Sequence, residues 1–204
     1  MSAPANTLPP PTRREPIVPN IDDQRGTAGM MLLIATEGFL FIILFFAYFY
    51  LARGGWRWLA EQPPKLTLAI IMLAVLLSSS AVLFWGEKQL KEGKHFRARM
   101  ALLGTILMGL GFLAIQTFEY ADHLKHLTPR TNVYGSIFYT ITSFHAAHVI
   151  VGLLILGYVL ILPGLEPVDR SPHRPFHNAS LYWHFVDFVW IWIVAFLYLA
   201  PNLR

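Results

Sequence analysis

Four short polar groupings stand inside stretches that are otherwise apolar, and each has the residue types for proton or metal chemistry. They are Glu37 in "ATEGFLFIILFFAYFY", Gln116 and Glu119 in "GFLAIQTFEYADH", His145 and His148 in "SFHAAHVIVG", and His184 and Asp187 in "LYWHFVDFVWIWIVAFLYL". An ionised carboxylate in hydrocarbon is costly, so Glu37 must face other helices or water. Two readings of it stay open: a proton-linked or regulatory carboxyl, and a neutral acid hydrogen-bonded between helices. His145 and His148, three apart, fall about 60° from each other around a helix and share one face. A zinc pair on one helix is usually spaced by four, a bis-histidine haem draws its ligands from opposing helices, and no third ligand stands nearby. The expectation is interhelical hydrogen bonding, not metal ligation. His184 with Asp187, and Gln116 with Glu119, repeat the spacing of three. Trp183 reads as an interfacial marker. Tyr182, Trp190, Trp192 and Tyr198 read as packing and belt residues.

What positions these groups is a set of membrane spans. The chain has 204 residues, 55 % of them hydrophobic and 14 % charged. Mean hydropathy is +0.48, above that of ordinary soluble domains. A span needs about 20 predominantly apolar residues. Five stretches satisfy this: 30–51, 66–85, 100–120, 134–162 and 180–199. Each must be helical, because an unpaired backbone group in lipid costs several kcal/mol. The expected fold is all-α, a polytopic bundle of five transmembrane helices over residues 29–204, preceded by a Pro-rich, disordered or extended arm, 1–28. Lys and Arg divide 10 to 6 between the two sides, which predicts a cytoplasmic N-terminus and an external, periplasmic C-terminus. On that topology helices one and five both run outward, with Glu37 and Asp187 at one level. Gly104, Gly109 and Gly111, and Ser78, Ser79 and Ser80, read as devices for close helix approach.

Several functions are excluded. With no cysteine there is no disulfide, thiolate metal site or cysteine nucleophile. The net charge of +4 is scattered among short connections and makes no nucleic-acid face. There is no P-loop, nucleophile elbow, dinucleotide glycine pattern or internal repeat.

In order along the chain, "TEGFLF", "QTFEY", "FHAAHVIVG" and "YWHFVDFVW" resemble the motifs of subunit III of the haem-copper terminal oxidases, the cytochrome c and quinol oxidase family. The resemblance runs from Met30 to Leu199 and implies roles residue by residue. Glu37 matches the family's carbodiimide-reactive carboxyl. Gln116, Glu119 and Tyr120 match its Gln-x-x-Glu-Tyr motif. His145, His148 and Gly152 match its Phe-His-Gly-x-His-Val segment, with Ala146 where the family has glycine. Tyr182, Trp183, His184, Asp187 and Trp190 match its last-helix motif. His145, His148, His184, Asp187, Gln116 and Glu119 are thus expected to form an interhelical polar network.

The resemblance further implies a non-catalytic subunit with no cofactor of its own, haem and copper residing in partner subunits I and II. Its expected work is packing on subunit I, binding phospholipid, supporting proton uptake and protecting the oxygen-reducing centre within an oxidoreductase complex. Five spans match the last five of the seven-helix forms, so one arm of the family's lipid-holding cleft is expected to be absent or supplied by another subunit. That points to a bacterial plasma membrane. Rival readings are a quinol oxidase subunit III, an accessory protein of a nitric oxide reductase, and an independent proton-coupled transporter.

Overall fold

The computed structural model describes residues 21–53, 66–124, 128, 133–161 and 173–202. Among them are five long helices: α1 (Ile21–Ala52), α2 (Leu66–Lys91), α3 (His95–His123), α4 (Val133–Ile161) and α5 (His173–Ile193). All five are long and apolar enough to cross a membrane, and no strand occurs among the described residues. The five expected spans are therefore present, with extended ends.

Helix α1 starts at Ile21, so residues 21–28, assigned above to the arm, are helical. The rest of the arm, the Pro63-Pro64 connection, Leu162 and most of the loop after it lie outside the described residues. The charged stretch between spans two and three is nearly all helix as well. Glu, Lys, Gln and Arg are good helix formers, and along "GEKQLKEGKHFRAR" the helix runs through Gly86 and breaks only around Gly93. Gly93, at φ 75°, takes the left-handed conformation that turns the chain back. Its N–H bonds Leu90 O and the Lys94 N–H bonds Gln89 O, both at 2.9 Å, closing a Schellman turn from α2 into α3.

Helix α5 packs against α1, α2 and α4; α2 lies on α3, α3 on α4, and α1 reaches only α4 and α5 among the stronger contacts. The residue that locks this arrangement is Trp183, fully buried. Its position is a correction to the interfacial reading. The indole sits where α3 and α4 each lack a side chain: a Cβ on Gly109 would stand 2.7 Å from it, and one on Gly152 2.9 Å. Its Nε1 donates to Ser79 Oγ on α2 at 2.9 Å, so one side chain joins four helices. Gly104 and Gly111 make no comparable approach, Gly111 having nothing within 4 Å of its notional Cβ.

Near its end α5 widens into a π-helical turn, Val194–Leu199, before a last piece, Ala200–Asn202. The Ala200 N–H bonds back to Ala195 O, a step of five. Pro201 has no N–H, so it cannot serve Phe196 O in the π register or Leu197 O in the α register. Tyrosines from other helices serve them instead. Tyr48 Oη on α1 donates to Phe196 O at 2.8 Å, and Tyr134 Oη on α4 to Leu197 O at 2.7 Å. A backbone defect that lipid would penalise has become the point where α1 and α4 are tied to α5.

Candidate functional site

The polar residues resolve into separate seams, not one network. Between α1 and α4, His148 Nε2 lies 3.0 Å from Glu37 Oε2, and His148 Nδ1 lies 2.7 Å from Phe144 O. A carbonyl only accepts, so Nδ1 carries a proton. The Nε2 to Oε2 bond then holds one proton, either as carboxylic acid on imidazole or as imidazolium on carboxylate. The side chains are 12 % exposed for His148 and 31 % for Glu37, so the pair is half-open at the edge of this chain.

Between α2 and α5 a longer chain of hydrogen bonds forms. Ser80 Oγ donates to Asp187 Oδ2 and lies 2.8 Å from His184 Nδ1, while His184 Nε2 lies 3.2 Å from Ser180 Oγ. With the Ser80 proton committed to Asp187, its oxygen must accept from His184 Nδ1–H, and Nε2 must accept from Ser180. Every donor points toward Asp187. His184 and Asp187 are thus connected, as their spacing suggested, but through a serine of another helix. Glu37 and Asp187 do lie within a turn of one level, since Gly38 packs on Phe185. They face different seams nonetheless.

At the far end of the bundle Tyr198 Oη donates to Glu119 Oε2 at 3.0 Å, and Tyr120 Oη donates to Thr142 Oγ1 at 2.6 Å. Two expected network members make no side-chain hydrogen bond among the described residues. His145, fully buried, has neither ring nitrogen partnered; it stacks on Trp190 at 4.9 Å, with the Phe41 and Phe112 rings edge-on to it. Gln116 is likewise buried with its amide unpartnered. His145 and His148 leave the helix toward one side as predicted, yet only His148 meets a polar group.

Residues that the sequence treated as spacers carry much of the bonding. Ser79 and Ser80 are acceptor and donor for α5, whereas Ser78 bonds back to Ala74 O on its own helix. A serine run facing a His and an Asp on another span was the readable signal. Tyr48 and Tyr134 were signalled only by Pro201. Among the described residues no group of three or more His, Cys, Asp or Glu converges as a metal site.

An all-helical multi-pass membrane protein whose helices are joined by hydrogen-bonded seams is a class defined by architecture. Its particular membership comes from comparison. The family model "Cytochrome c oxidase subunit III" matches residues 23–201. The cytochrome c oxidase subunit 3 of Polypterus ornatipinnis is 35 % identical over 178 residues, covering 83 % of this chain and 67 % of the relative. That of Danio rerio is 35 % identical over 181 residues, and that of Anopheles gambiae 33 % over 178, with the same coverage. The chain belongs to the cytochrome c oxidase subunit III family, membrane components of a respiratory-chain oxidase.

Proposed function

We propose that this chain is the non-catalytic subunit III of a bacterial haem-copper cytochrome c oxidase. It packs on subunit I beside the copper-bearing subunit II, binds phospholipid, and supports proton uptake and the endurance of the oxygen-reducing centre. Residues 29–204 act as one membrane unit with a cytoplasmic N-terminus, an orientation supported by the 10 to 6 division of Lys and Arg. The bacterial plasma membrane is the reading supported by the resemblance to short members of the family.

The observation that carries the functional reading is the Glu37–His148 pair inside a matched family domain. A carboxyl and an imidazole share one proton at a half-open position, which suits a proton-linked group facing lipid or a partner subunit. The seams around His184, Asp187 and Glu119 hold the helices that present it.

Tagged protein purified from native membranes in mild detergent is expected to bring down a haem-bearing and a copper-bearing subunit, with an oxidase reduced-minus-oxidised spectrum. Recovery as a haem-free homo-oligomer would overturn the reading. A haem–non-haem-iron partner would reassign the chain to a nitric oxide reductase.

A further inference from the structure

Asp187 is a buried carboxyl, 4 % exposed, and its Oδ1 has no hydrogen-bond partner among the described residues. Its Oδ2 is reached through Ser80, Ser80 through His184, and His184 through Ser180. That chain leads back along α5 toward the start of the helix. His177 stands three residues before Ser180, on the same face, with Nδ1 3.0 Å from Glu87 Oε1 on α2. Lys91 holds the same Glu87 oxygen at 2.9 Å. The His177 side chain is 45 % exposed, so one polar stripe joins an open imidazole to a closed carboxyl. At 1.5 Å per residue the two are about 15 Å apart along the helix. On the other elements packed against α5, Glu37 of α1 bonds His148 of α4, and His145 of α4 stacks on Trp190. Glu119 of α3 bonds Tyr198 at the far end.

We propose that Asp187 is a proton acceptor filled from the open end of this stripe, through Ser180, His184 and Ser80. The chain satisfies its bonds in either direction. In one state each donor points toward Asp187. In the reversed state the carboxylic acid donates to Ser80, Ser80 donates to His184 Nδ1, and His184 Nε2–H donates to Ser180. Passing from the first state to the second takes up one proton, supplied by hydronium from the aqueous side by way of His177. Ser180 gives its hydrogen to Nε2 and receives the new one; Nδ1 gives its hydrogen to Ser80, which gives its own to Oδ2. The carboxylate becomes a neutral acid, and no other group changes charge. For fastening α2 to α5 the bond from Ser80 to Asp187 would be enough; the imidazole held between two hydroxyls is what makes the direction reversible.

The test follows the full chain in lipid nanodiscs by time-resolved infrared spectroscopy after a drop in pH, reading the C=O stretch of a protonated carboxyl. Isotope-labelled aspartate and Asp187→Asn identify the band of Asp187, and Glu37→Gln that of Glu37. The Asp187 band is expected to grow after the drop and to fade on return. Ser180→Ala cuts the chain beyond His184 and leaves Asp187 and Ser80 as they are. It should slow that growth at least about tenfold, the size of one charge-assisted hydrogen bond. The final extent of the band and the rate of the Glu37 band should stay as in wild type, and Ser180→Thr, which keeps the hydroxyl, should restore the rate. His184→Phe keeps a ring without donor or acceptor; it should slow the Asp187 band likewise and keeps the test alive if Ser180→Ala fails to fold. An Asp187 band that ignores pH, or one that grows at the wild-type rate in Ser180→Ala or His184→Phe, would overturn the proposal. The inference deepens the proposed support of proton uptake and rests on that reading only for what the proton is used for. Failed co-purification with the pH response intact would remove that reading and leave the acceptor.

Discussion

Helices α1 and α5 run side by side in the same direction, tied near both ends by Thr27 to Asn178 and Tyr48 to Phe196, yet their surroundings are opposite. Of the most apolar stretch of α1, 6 % is buried within the chain, against 56 % for α5. The more apolar helix is the outer one. In water that order would be unfavourable, but lipid tails are as apolar as Leu, so exposing Phe39, Phe46 and Phe49 costs little. What lipid cannot solvate is the imidazole of His184, the carboxyl of Asp187 and the π turn. Polar content and small-residue packing, rather than hydrophobicity, therefore decide which helix becomes the centre.

The difference can be broken most severely at Trp183. Trp183→Ala empties the gap between Gly109 and Gly152 and removes the Ser79 bond, and is expected to cost about 3–5 kcal/mol in reversible unfolding in micelles. A large apolar side chain on the outer face of α1, such as Phe46, should be replaceable by Leu with no comparable loss.

Next comes Ser80→Ala, which strands Asp187 Oδ2 and His184 Nδ1 in a half-buried seam. About 1–3 kcal/mol should be lost in the same assay, a penalty without counterpart on the open side of α1. A value near zero would mean that the serine is a spacer after all.

The tyrosine ties are smaller. Tyr48→Phe or Tyr134→Phe should cost about 0.6 kcal/mol, and at most about 1.7, as interhelical hydrogen bonds do in membranes. Pro201→Ala sharpens the point, because it restores an N–H for the carbonyls those hydroxyls serve. In a double-mutant cycle the cost of Tyr48→Phe should shrink in the Pro201→Ala background, and unchanged cost would refute the link.

On α1 itself, Glu37→Gln should shift stability by under about 0.5 kcal/mol, the range of open positions. Its effect should appear as chemistry: labelling by a hydrophobic carbodiimide is expected to vanish, and labelling as strong as wild type would move the reactive carboxyl elsewhere. Smallest of all is the turn outside the membrane. The Lys94 ammonium, 2.6 Å from Glu92 and hydrogen-bonded to it, holds that carboxyl below its ordinary range, by the bond first and by charge second. A lowered carboxyl pKa adds stability above the ordinary carboxylate range, which is lost as pH falls through the lowered value. Glu92→Gln should flatten that acid limb only slightly, since the pair is exposed.

The number of spans, their order and the residues worth attention were all determined by the sequence itself. Each rests on a local criterion: about 20 apolar residues force a helix in lipid, and a lone Glu, His or Asp inside such a run stands out against its neighbours. The family motifs were legible for the same reason, being short and contiguous. The pairing of those residues was decided only by the tertiary structure. Glu37 met His148 and not Asp187, Ser80 bridged His184 to Asp187, Trp183 left the interface for the core, and His145 met rings in place of polar partners. Pairing depends on how far each helix is rotated about its axis and which helix stands beside it. Nearly every turn of a lipid-compatible helix is apolar on all faces, so the sequence carries little record of that rotation, and close contacts such as Trp183 against Gly109 and Gly152 set it instead.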